Sequence, residues 1–292
     1  MARRWNTEAG TARPSRAAPR RVAALLVTAF ALVLPATPAA AYTDPITWKP
    51  GYKAAKAYAK SHRGDSKIIA FSLRTHMHLW NWRASETEPS ASAVKVMIMT
   101  AYLRRGSVKN SDLSGDQRYN LEQMIEWSDD HATDRIFAHV HCSGLNSLAH
   151  TVGMKRFTAC GDPNHPHWGR SRIDAEDQSL FLLNLEKYLP SKHRSYALSL
   201  MRHIHRGNWG IGEVHPPGWQ VMFKSGWGLG TGWVDNQVAL LRYRGMRIGI
   251  AVLSYHNRPD YNSGGSHPYG KRLLKGLFSR LLKGLGKNSL VE

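Results

Sequence analysis

Ser90-Ala-Ser-Ala-Val-Lys-Val-Met-Ile-Met99 leads into an almost wholly apolar run, Ala93–Leu103, whose only charge before its end is Lys95. A helix apolar on every side belongs in the middle of a core. Ser92 and Lys95 are three residues apart, about one helical turn, so hydroxyl and amine share a face. The helix start puts positive potential at Ser92, which favours an alkoxide or a developing oxyanion. An ammonium drawn among apolar side chains has its charged form disfavoured, so Lys95 can act as a base near neutral pH. Burying it unpaired is costly, so the position needs a reason.

Upstream, Tyr52–Ser61 has helical spacing, while Lys67–Leu73 and Met77–Arg83 read as strands. Downstream, Leu121–His205 reads as helical, with Asp174 suited to an N-cap and Asp177 at its third helical position. Strand patterns return at Gln220–Lys224, Trp233–Arg242 and Arg247–Tyr255, and Tyr269–Leu285 closes the chain as a helix. This order predicts an α+β fold: an antiparallel sheet in which the late strands meet the early pair, flanked by helices, with a helical subdomain. No linker or charge block interrupts residues 42–292, which read as one catalytic domain.

Two further motifs follow Ser92 in order. Ser128-Asp129-Asp130 falls between two helical stretches, and Lys224-Ser225-Gly226 ends a late strand. A second hydroxyl, Ser128, can relay a proton to a leaving group, and a second ammonium, Lys224, can orient it. Lys224 and Ser225 can bind a substrate carboxylate. Gly226 would let a substrate backbone lie along the strand edge. The backbone N–H groups of Ser92 and Trp227 are then the expected oxyanion donors. No G-x-S-x-G elbow, Walker loop or dinucleotide fingerprint competes.

With S-x-x-K, S-D-D and K-S-G in this order, the chain resembles the superfamily of class A β-lactamases and penicillin-binding proteins. Met124-Ile-Glu-Trp-Ser-Asp-Asp-His-Ala-Thr133 is similar to its second motif. Phe223-Lys-Ser-Gly-Trp227 with Gly232-Trp-Val-Asp-Asn236 is similar to its third. The resemblance implies a serine hydrolase that forms an acyl-enzyme on Ser92 with a β-lactam, cell-wall peptide or ester. No cofactor is expected, and no metal either, since the one tempting cluster, His139-Val140-His141-Cys142, lacks the further ligands that zinc needs.

Two departures bear on turnover. The family's deacylating Glu has no counterpart in Cys160–Asp174, and Glu176, just beyond, suits the dipole of the next helix instead. Asp130 replaces the family's Asn; a carboxylate only accepts hydrogen bonds and raises the pKa of a neighbouring lysine. The alternative reading is therefore a protein that acylates with little turnover.

The formal charge of the 292-residue chain is +19, which favours anionic surroundings but says nothing of fold. No nucleic-acid module is present, so nucleic acid is not an expected partner. Residues 1–41 read as an export signal: six arginines, an apolar run Val22–Leu34 and Ala39-Ala-Ala41, with cleavage before Tyr42 by a Sec or twin-arginine route. The expected location is outside the cell, with peptidoglycan within reach. There, Cys142 and Cys160 are expected to pair, two free thiols being the other option. The cationic, leucine-bearing C-terminal helix reads as packed on the sheet, with a basic membrane-surface helix as the rival. Trp209, Trp219, Trp227 and Trp233 cluster near the third motif, as packing or as a cleft wall.

Overall fold

A computed structural model describes residues 48–228, 233–257 and 268–289; the expected signal segment 1–41 and Gly232 lie outside them. In chain order come α1 (Tyr52–Ser61), β1 (Ser66–Arg74), β2 (Leu79–Trp82), β3 (Glu88–Pro89), a 3-10 turn Ala91–Val94, α2 (Lys95–Leu103), α3 (Gly115–Ile125) and α4 (Asp130–Val152). They are followed by β4 (Arg172–Ile173), α5 (Ala175–Leu183), α6 (Leu185–Tyr188), α7 (Ser191–Arg202), β5 (Gln220–Gly228), β6 (Val234–Tyr243), β7 (Met246–His256) and α8 (Pro268–Leu281).

The main sheet is antiparallel in the order β2-β1-β7-β6-β5, so the early pair joins the late strands through β7. β7 is central, and Ile248, Ile250, Ala251, Val252 and Leu253 on both its faces are buried. Alternate residues point to opposite faces of a strand. Gly249 accordingly lies against the α5 backbone, while His256, of opposite parity, lies beside Gly270 of α8. Helices therefore cover both faces. The fold is the expected α+β arrangement.

Three local boundaries differ from expectation. The third motif does not end a strand: β5 runs on to Gly228, pairing Gly226 with Asn236 and Trp227 with Asp235. β5 is an edge strand, bonded only to β6. The nucleophile helix starts as a 3-10 turn, and α2 begins only at Lys95. The closing helix stops at Leu281, and Gly284 beyond it has φ 75°.

In α8, Leu273, Leu274, Leu277, Phe278 and Leu281 recur at helical spacing and are all buried. A contact with a membrane through this helix thus has no apolar side left to insert. In the helical subdomain, Ser114 and Gln117 make a capping box at the start of α3. Asp129 caps α4, accepting from Ala132 N–H at 2.6 Å. α4 breaks at His141 (φ 58°), and the next residue, Cys142, is bonded to Cys160 with the two Cα atoms 5.8 Å apart. Asp174 accepts from the Glu176 and Asp177 N–H groups at the start of α5.

Candidate active site

Ser92 lies in the 3-10 turn, where side chains at i and i+3 eclipse, so Ser92 and Lys95 stand above one another. The Lys95 N–H donates to the Ser92 carbonyl and closes the turn. Entry to the turn is tight. Ala91 has φ 45°, a left-handed conformation rare for a residue with a side chain. Asn236 of β6 holds the approach, donating to the Pro89 carbonyl at 3.0 Å and the Ser90 carbonyl at 3.5 Å.

Gly226 has a packing role that the sequence does not show. A methyl group there would sit 2.5 Å from both Ala93 N and Ser90 O, and 3.0 Å from Ser92 N. Its missing side chain lets β5 pack on the nucleophile turn.

Lys95 is fully buried, and its Nζ donates to Asp130 Oδ1 at 2.7 Å, Ser128 O at 2.8 Å, and Ser128 Oγ and Asp129 O at 3.4 Å. The indole of Trp168 covers it, with the ring centre 4.8 Å from Nζ. Burial lowers its pKa below the ordinary lysine value, against the pull of the Asp130 carboxylate. The sequence suggested that Asp130 would make Lys95 a poorer base. The opposing force is present, but burial outweighs it.

Lys224, also fully buried, donates to Ser128 Oγ at 2.9 Å and to its neighbour's carbonyl, Ser225 O, at 3.1 Å. Burial first, and the Lys95 charge second, push its pKa well below the ordinary value. The Ser128 hydroxyl thus sits between two ammonium groups. Ser128 has φ 57°, which turns the residue out of α3 before α4 begins. The Ser92 hydroxyl makes no hydrogen bond among the described residues and keeps 8% exposure, open to a ligand.

Ser225 does not line the site as expected. Its hydroxyl is buried, donates to the Gly207 carbonyl at 2.6 Å and accepts from Gln237 Nε2 at 2.8 Å. Both hydrogen bonds of this hydroxyl are thus made inside the protein. A cation missed in the sequence does stand nearby. The charge of Arg206 acts on both Lys95 and Lys224, and its guanidinium lies 5.8 Å from the Trp227 ring centre. It arrives on the loop after α7, so no motif spacing could have revealed it.

In the Cys160–Asp174 segment, the side chains turned towards the lysines are Trp168 and His167. Trp168 is held by Asp134 Oδ1 at 2.8 Å. His167 Nδ1 accepts from the Gly169 N–H at 3.0 Å, which puts the proton of the neutral ring on Nε2 and leaves no ready base there. Burial lowers the His167 pKa. Asp162 pairs with His165, and Glu176 with Arg156 at 2.8 Å and Arg74 at 3.7 Å. Both carboxylates are engaged away from Ser92.

Fold and site together define a β-lactamase-like serine hydrolase. The model of the "Beta-lactamase enzyme family" matches residues 118–267, just over half of the 292-residue chain, and the chain belongs to that family. The matched span takes in Ser128 and Lys224 and begins after Ser92. No curated protein sequence matches. Among solved structures, the β-lactamase from Sphaerobacter thermophilus DSM 20745 is similar at 16% identity and TM-score 0.64, over 80% of this chain and 97% of that one. A class A β-lactamase from Mycobacterium abscessus is 17% identical at TM-score 0.64, over 79% and 98%. PBP-A is 17% identical at TM-score 0.62, over 80% and 94%. At such identities the likeness is one of fold.

Proposed function

We propose that the chain is an exported hydrolase that forms an acyl-enzyme on Ser92 and releases it slowly. Ser92 Oγ attacks the carbonyl of a β-lactam, cell-wall peptide or ester while Lys95, as the free amine, takes its proton. The tetrahedral oxyanion is met by the Ser92 and Trp227 N–H groups. Ser128 then passes a proton to the departing nitrogen or oxygen and is resupplied by the lysines on either side. Asp130 receives the polar edge of the substrate only as an acceptor, and Arg206 takes the substrate carboxylate.

The observation that carries this reading is the Ser128 hydroxyl set 2.9 Å from Lys224 Nζ and 3.4 Å from Lys95 Nζ, one turn from Ser92. Its test is turnover of a chromogenic cephalosporin and of an activated ester by the wild type and by Ser92→Ala. Turnover of either that survives Ser92→Ala would remove Ser92 as the nucleophile.

The reading of a protein that acylates with little turnover is favoured by one feature. Beside Lys95 lies the Trp168 indole, while Asp162 of that segment pairs with His165 and Glu176 beyond it with Arg156. Export is supported by the arginine-rich start, the apolar run and Ala39-Ala-Ala41. Its test is the N-terminal residue of the protein recovered from culture medium, expected to be Tyr42.

A further inference from the structure

The positive charge of this chain is not spread evenly. Residues 48–65 and 268–289, which contain α1 and α8, carry eleven Lys and Arg against a single acid, Asp65. All of residues 48–292 carry thirty-four against nineteen, so two-thirds of the excess positive charge belongs to these two segments. They are one layer of the fold. Tyr58 of α1 packs into the space left by Gly276 of α8, and its ring lies under the Arg280 guanidinium at 3.9 Å. Gly51, the residue before α1, abuts the Arg280 backbone.

The apolar side of the layer is spent on the core. Ala55 and Ala59 of α1 and the leucines of α8 are buried, so the outer side is mainly cationic, with the Lys56 and Lys60 ammonium groups over the half-buried Trp82 ring at 4.9 and 5.8 Å. Lys53, Lys56 and Lys60 recur every three or four residues, as do Arg272 and Lys275, giving rows of charge about 5–6 Å apart. At the edge of the layer, a cavity of about 520 Å³ opens between α8 and the 3-10 turn Gly210–Glu213; Lys271, Arg272, Lys275, Asn208 and Trp209 line it. Glu213, the acid there, is already paired with Lys275 at 3.1 Å. The Trp209 ring meets the Trp227 ring edge-on at 6.1 Å, so cavity and candidate active site share an aromatic wall.

We propose that the α1–α8 layer, with this cavity at its edge, binds a linear phosphate-bearing polyanion and so holds the enzyme on an anionic polymer. Regular rows of cations suit a chain of repeating charges, and the leucines of α8, being buried, are not free to anchor in a bilayer. The proposal does not depend on Ser92, and its failure would leave the reading of that site untouched.

The test is titration of the full chain with inorganic polyphosphate of defined length at several salt concentrations, read by calorimetry. Two triple variants, Lys271→Gln/Arg272→Gln/Lys275→Gln and Lys53→Gln/Lys56→Gln/Lys60→Gln, are compared with an exposed control, Lys109→Gln/Lys187→Gln/Arg202→Gln, each checked for an unchanged thermal midpoint. The expected result is at least tenfold weaker binding for each layer variant, with the slope of log K against log salt shallower by about two units. The control should stay within about twofold. Two layer triples are used so that one misfolded variant leaves the other to decide. Equal weakening in all three triples would overturn the proposal. So would tighter binding to phosphatidylglycerol vesicles or to duplex DNA than to polyphosphate.

Discussion

Asp130 sets the protonation of Lys95 from one side and burial sets it from the other. Its carboxylate lies 2.7 Å from the ammonium and stabilises the charged form, so removing that charge lowers the lysine pKa further. Acylation needs the free amine, and its rate rises with pH as Lys95 loses its proton. Asp130→Asn is therefore expected to move the acid limb of the acylation profile to lower pH, read by stopped-flow acylation between pH 5 and 9. An unmoved limb would mean that Lys95 is not the titrating base. Arg206 makes a separate claim. Losing a charge-assisted hydrogen bond of about 1.5–3 kcal/mol should raise KM roughly 10- to 100-fold for substrates bearing a carboxylate. Arg206→Ala should leave the KM of an uncharged ester unchanged, while kcat falls for both substrates because Lys95 loses a neighbouring cation that lowers its pKa; a steady-state comparison of the two substrates decides it.

At the scale of elements, the short strand β3 leads into the turn that carries the nucleophile, and its Glu88 is fully buried. Burial pushes its carboxyl well above the ordinary value of 4.5, against the pull of Arg172. A raised carboxyl pKa favours the fold below the unfolded value, and that benefit fades as pH rises towards the folded one. Glu88→Gln stays neutral throughout. Its thermal midpoint should match wild type near pH 4 and exceed it increasingly towards pH 8, by about 2–4 °C for each kcal/mol relieved. The Cys142–Cys160 bond joins the second half of α4 to the segment carrying Trp168. Reducing it should cost roughly 3 kcal/mol for a loop of this length, visible as a lower midpoint under reductant and absent in a double Cys→Ser variant. The chemistry was legible in sequence where it depends on short spacing: Ser92 and Lys95 one turn apart, Ser128 before the cap Asp129, Lys224 in a strand. It was not legible where distant segments decide. Ser225 turns to Gly207 and Gln237, Gly226 faces the nucleophile turn, and Arg206 comes from a loop, all through contacts that only the folded chain makes.

For the whole molecule, the order of strand and helix patterns was sufficient for the architecture, because β7 and α8 carry unbroken apolar signals. The charge distribution was not, since α1 and α8 are some 200 residues apart in sequence and join only in the fold. What remains central is that one hydroxyl, Ser92, becomes acylated and that release is slow. The intact mass of the protein after minutes and hours with a penicillin, beside Ser92→Ala, tests this directly. The expected result is an adduct of one penicillin in wild type that decays over hours and never forms in the variant. An adduct that persists in Ser92→Ala, or none at all in wild type with penicillin and with an activated ester alike, would contradict it.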